Sequence, residues 1–158
     1  MNATVAGDLF QIVSFRLAGE EYAFPITAVK EVILPTTITR VPQMPACIEG
    51  VLNLRGTVIP VVDLRLRFGM PRAEHNEQTR ILIAKPGGRV VGFIVDAVSQ
   101  VLRIRRDQVN PPPETISGIA QKYLNGLARI SDERMLILLD VASILSPAEL
   151  TALAQPAA

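Results

Sequence analysis

The chain has 158 residues, 49% hydrophobic and 4% aromatic, with one cysteine, one histidine and a formal net charge of +1. That length suits one ordinary domain or two small ones sharing a core. The balanced charge creates no long-range field toward a polyanion or an anionic membrane, and one cysteine excludes an internal disulfide framework or a cysteine-rich metal site. The lack of tryptophan and scarcity of aromatics argue against stacking platforms for single-stranded nucleic acid.

Residues 1–9 read as a loose tail without the positive charge and apolar run of a secretory signal. Phe10 to Leu17 alternates as a strand, Ala18-Gly19-Glu20-Glu21 turns, and Tyr22 to Ile26 returns as the second arm of a hairpin. Ile26 to Val29 suits one helical turn, and Glu31 to Leu34 a third strand ended by Pro35. A loop from Thr36 to Ala46, punctuated by Pro42 and Pro45, leads into Ile48 to Leu54. Gly50 inside that strand predicts a bulge or a close backbone approach. The corner Asn53-Leu54-Arg55-Gly56 then opens a mostly β-branched strand, Thr57 to Val62, which stops at Asp63. Asp63 is placed to cap a helical turn from Leu64 to Phe68, with Gly69 ending it.

Pro71 to Thr79 is a polar linker. Arg80 to Ala84 and Val90 to Val95 form a hairpin around Pro86-Gly87-Gly88, and Val98 to Ile104 is a further strand. Asn110 to Glu114, with three consecutive prolines, is stiff and extended, and Ile116 to Tyr123 is irregular. Leu124 to Ile130 and Met135 to Leu139 form a last strand pair, after which Asp140 caps a C-terminal helix beginning at Val141. The longest apolar run, Met135 to Leu145, is interrupted by Asp140 and is far short of a membrane span, so a soluble cytoplasmic protein is expected.

A weak internal repeat runs through this order. Residues 19–33 align with 88–102 at an offset of 69, with Gly19/Gly88, Phe24/Phe93, Ala28/Ala97, Val29/Val98 and Val32/Val101 identical. Ile59-Pro-Val-Val-Asp63 echoes Leu136-Ile-Leu-Leu-Asp140. Each half would then hold five short strands and a helical turn, and such strands curl most easily into a small barrel. The expected fold is mainly β: two five-stranded barrels packed on each other with a groove between them. The expected domain spans residues 10–150, with one subdomain at 15–79, a second at 80–145, and a frayed end at 151–158.

Chemistry is sparse. His75, the single histidine, sits in the polar linker without a companion ligand. Cys47 has no base or cation near it in sequence and reads as a small buried apolar residue. Asp63 and Asp140 occupy equivalent places, which points to the same capping job done twice rather than to paired acid–base catalysis. No cofactor or metal site is expected. The cluster Arg103-Ile104-Arg105-Arg106, with Arg65 and Arg67, would touch nucleic acid only with basic grooves and interleaved aromatics, which are absent. Glu31 sits among apolar strand residues and wants a cation, for which Arg55 is the candidate. On residues alone, a bridge between them and two unrelated surface charges are equally open.

The stretch I-E-G-V-L-N-L-R-G-T-V-I-P-V-V-D-L-R-L-R-F-G (48–69), supported by 23–33, 88–102, 123–130 and 133–141, resembles the CheW family of bacterial chemotaxis coupling proteins over about residues 10–150. The resemblance implies two SH3-like barrels and a non-enzymatic adaptor joining a CheA-type histidine kinase to the cytoplasmic tip of methyl-accepting chemoreceptors. It implies a receptor surface at Val29, Glu31, Gly50, Asn53, Arg55, Gly56, Val95 and Val98, with Glu31 and Arg55 paired. It implies a kinase surface at Leu34, Ile38, Thr39 and Val41. Recruitment to membrane-associated receptor arrays follows, in a flagellar or another chemosensory system such as pilus motility. Ala97 stands where many relatives carry glycine.

Overall fold

The computed structural model describes residues 9–111, 123–146 and 148–149. The expectations for 1–8, 112–122 and 150–158 lie outside these. Among the described residues there are eleven strands: β1 Leu9–Leu17, β2 Glu20–Pro25, β3 Val29–Ile33, β4 Ile48–Leu54, β5 Thr57–Asp63, β6 Arg80–Ala84, β7 Val91–Val95, β8 Ala97–Arg105, β9 Val109–Asn110, β10 Leu124–Arg129 and β11 Met135–Leu139. Helical turns follow β5 (Leu64–Arg67) and β11 (Val141–Ile144), and a 3-10 turn, Ile26–Ala28, separates β2 from β3.

The strands form two sheets, in the orders β8-β1-β2-β11-β10-β9 and β3-β6-β7-β5-β4. This corrects the expectation that each repeat folds into its own barrel. Residues 80–95, expected to open the second subdomain, instead pair as β6 and β7 with β3, β4 and β5. Under the repeat, β1 and β2 correspond to β6 and β7, β3 to β8, β4 to β10, and β5 to β11. Each sheet therefore joins the leading hairpin of one repeat to the remaining strands of the other. The joins are equivalent: β11 runs parallel to β2 with Ala23 opposite Leu138, and β5 runs parallel to β7 with Gly92 opposite Val61. The reason lies in the connections. Only a single 3-10 turn separates β2 from β3, and only Asp96 separates β7 from β8, so each third strand leaves its hairpin's sheet and enters the other.

The core follows the same symmetry. One buried cluster fills the first sheet (Ile12, Ala23, Ile104, Ala128, Leu136, Leu138) and one the second (Leu52, Ile59, Val61, Ile81, Ile83, Ile94). A larger shared cluster lies between them, containing Phe15, Phe24, Leu64, Phe93, Val141 and Leu145. Both barrels thus depend on one central core.

Candidate functional site

The expected capping aspartates are in place. Asp63 accepts from the Arg65 and Leu66 amides at 2.9 and 3.3 Å, and Asp140 from the Ala142 amide at 3.1 Å and the Ser143 hydroxyl at 2.7 Å. Burial pushes the Asp63 carboxyl up despite those amides. Cys47 is buried and burial pushes its thiol up, the opposite of nucleophile activation, although Arg67 Nη1 lies 3.9 Å from Sγ. His75 is exposed. Among the described residues no group of three His, Cys, Asp or Glu side chains is placed to hold a metal ion, and no helix is long and apolar enough to cross a membrane.

The β4–β5 corner carries the most distinctive geometry. Arg55 sits at φ +51° and Gly56 at φ +87°, and Asn53 Oδ1 accepts from the Gly56 amide at 2.8 Å. This side-chain turn fixes the corner. It aims Arg55 across the open edge of the sheet at Glu31 on β3. The guanidinium donates to both carboxylate oxygens, Nη1 to Oε1 at 3.3 Å and Nη2 to Oε2. Arg55 is 69% exposed and Glu31 33%. The hydrogen-bonded guanidinium holds the Glu31 carboxyl below its ordinary value. A pair this open to water adds little stability. What it does is hold two charges in fixed register at the rim of the barrel.

Three large apolar side chains near the pair in the chain are exposed, and the sequence reading did not single out their exposure. Val32 follows Glu31 on β3, Val58 at 65% exposure lies just past the corner, and Leu34 at 66% comes directly after β3. Strand alternation around Glu31 could have shown Val32 facing outward. Val58 sits in a mostly apolar run that hides its direction.

The other expected receptor residues divide. Asn53, Arg55 and Gly56 are exposed at the corner. Val29 and Val98, equivalent in the repeat, are half-buried and both pack on the shared core. Val95 is 1% exposed and Gly50 is buried, so neither presents a surface and each can shape the site only from beneath. Gly50, at φ +151°, is the bulge in β4, and a Cβ there would overlap the Thr39 carbonyl oxygen.

That approach builds the expected kinase surface. Thr39 exchanges two backbone bonds with Val51, N–H to carbonyl at 2.7 and 2.8 Å. Ile38 packs its side chain on the core of the second sheet, while Leu34 and Thr39 remain exposed and Val41 is half-buried. The first sheet repeats the arrangement. Gly126 is its bulge, and a Cβ there would lie 2.8 Å from the Asn110 carbonyl oxygen, where β9 pairs with β10. The loop at Thr39 is the counterpart of β9, reduced to a single bridge.

A family model described as a CheW-like domain matches residues 11–149. The chain belongs to the CheW-like family. It is 39% identical over 140 residues to the chemotaxis protein CheW of Klebsiella aerogenes, covering 89% of this chain and 84% of that one. It is 36% identical over 138 residues to the chemotaxis protein CheW of Helicobacter pylori, covering 87% and 82%. Among solved structures, the scaffolding protein TtCheW from Thermoanaerobacter tengcongensis superposes with a TM-score of 0.81 at 36% identity, covering 89% of this chain and 94% of that one. CheW-like proteins are scaffold proteins of chemotaxis signalling, and this chain is a chemotaxis coupling adaptor with their two-barrel fold.

Proposed function

We propose that this chain is a non-enzymatic cytoplasmic coupler that joins a CheA-type histidine kinase to the cytoplasmic tip of methyl-accepting chemoreceptors, at membrane-associated arrays. The observation that carries the reading is the bidentate Glu31–Arg55 pair, together with the exposure of Val32, Val58 and Leu34 nearby in the chain. A charged pair in fixed register, on strands that also expose apolar side chains, suits docking and orientation, not turnover. The kinase's regulatory domain takes the Leu34, Ile38, Thr39 and Val41 face. The receptor tip, a helical hairpin, takes the groove floored by Val29 and Val98 and rimmed by Asn53, Arg55 and Gly56. Helical partners offer apolar anchors at spacings of three and four, which half-buried valines accept.

In this reading each contact is weak alone and is strengthened by assembly. The test is reconstitution with receptor-bearing membranes and a CheA-type kinase. Addition of this chain raises kinase autophosphorylation, and the Arg55→Ala chain, folded, does not. Equal activation by both would remove the pair from the coupling surface.

A further inference from the structure

The chain passes between the two sheets at two junctions that the repeat makes equivalent, and the two are fastened differently. The β7–β8 junction is Asp96. Its amide donates to the Arg16 carbonyl at 3.0 Å, and its carboxylate accepts from the Ala18 amide at 2.8 Å and from Arg65 Nε and Nη2 at 2.8 and 2.6 Å. Ala18 lies in the β1–β2 turn of the first sheet, and Arg65 in the helical turn that follows β5 of the second. One carboxylate therefore ties both barrels to the crossover. Arg65 is itself anchored through Nη1 to the Pro71 carbonyl at 3.3 Å.

The counterparts of these three residues at the β2–β3 junction are Thr27 for Asp96, Gly87 for Ala18 and Ala142 for Arg65. The three do converge, because they line one cavity of about 220 Å³ together with Lys85, Asn125 and Asp140. Yet no acid stands at position 27 and no base at 142. Among the described residues no hydrogen bond links Thr27 to the β6–β7 turn. Both junctions border open space, with a cavity of about 240 Å³ beside Asp96 and Arg65, but among the described residues an ion pair spans only the first.

We propose that the two barrels pivot on the Asp96 junction, with the Thr27 junction as the side that yields. Val29 and Val98 flank the two crossovers, so this motion changes the width of the groove between them. That consequence for the groove rests on the receptor reading above; the pivot does not. A polar bridge that is bidentate and partly shielded from water resists separation far better than an unbridged gap. Small rigid-body motions between packed units are absorbed at such unfastened connections.

The pivot is measured as the distance distribution between nitroxide labels at Val58→Cys and Met135→Cys, equivalent exposed sites on the two barrels, in a Cys47→Ala background. Arg65→Ala widens the distribution at least twofold. Thr27→Asp with Ala142→Arg, which copies the Asp96–Arg65 bridge to the other junction, narrows it at least twofold. If circular dichroism shows Arg65→Ala partly unfolded, Asp96→Asn is read in its place. An unchanged width on loss of the Asp96 bridge overturns that junction as the fastening. An unchanged width on transplanting it overturns the Thr27 junction as the yielding side.

Discussion

Phe24 and Phe93, 69 residues apart and equivalent in the internal repeat, meet edge to face with ring centroids 5.7 Å apart and planes at 67°. Both are fully buried in the cluster the two barrels share. Phe24 extends the contact to Phe15 at 5.0 Å. Because each sheet is assembled from both repeats, neither barrel can form while the other is unfolded. Phe93→Ala is therefore expected to cost about 3–5 kcal/mol. The loss appears in one cooperative urea transition followed by circular dichroism and fluorescence together. Two separated transitions would show independent barrels.

Gly50→Ala adds a methyl group where the Thr39 carbonyl passes β4, at a backbone φ that disfavours a side chain. The expected cost is roughly 1–3 kcal/mol. The displaced segment is the loop carrying Ile38, Thr39 and Val41, so kinase binding weakens more than receptor binding. Separate titrations with the two partners check this order.

How much of this was legible in the sequence depended on whether the signal was local. The β4–β5 hairpin, the two capping aspartates and the glycine bulge depend on neighbours in the chain, and Asn53, Gly56, Gly50 and Asp63 announce them. The repeat itself was visible in Phe24/Phe93 and Val29/Val98. Its exchange between sheets was not, because the same residues serve a strand that returns to its own hairpin or crosses to another. Val95 is expected as a contact yet is buried, since a run of five apolar residues does not say which of its faces is covered. The Asp96–Arg65 bridge spans 31 residues, and no spacing rule connects the two.

Acid weakens the fold through a defined set of carboxylates. The Arg134 hydrogen bonds hold Glu21 below its ordinary value. Partial burial alone would raise Asp96 and Glu149. Arg65 with the Ala18 amide, and the Ser146 amide with Arg67, outweigh it and lower both. A depressed carboxyl contributes stability that is complete above its unfolded value and is lost as the pH falls through its folded one. Asp63, which burial raises, acts in the opposite sense and offsets part of this loss. The urea midpoint is expected to hold level from about pH 7 to 5 and to fall below about pH 4, where unfolded Asp and Glu titrate. Arg65→Ala, which removes the main lowering influence on Asp96, falls less steeply over that acid range.

Glu31→Ala and Arg55→Ala leave the melting temperature close to that of the parent, as the pair is exposed. Both lose kinase activation in reconstituted membranes. The charge-swapped double variant, Glu31→Arg with Arg55→Glu, restores the pair but not its polarity toward a partner. It is expected to remain inactive, and recovery of activation would assign the pair a purely structural role.

The coupling role is tested most directly by calorimetric titration of this chain with the regulatory domain of a CheA-type kinase, repeated with Leu34→Asp. Leu34 is exposed, so the substitution alters the surface and spares the core. The account predicts saturable one-to-one binding in the parent and at least a tenfold loss of affinity in the variant. No heat of binding at tens of micromolar, or equal binding by both chains, would contradict it.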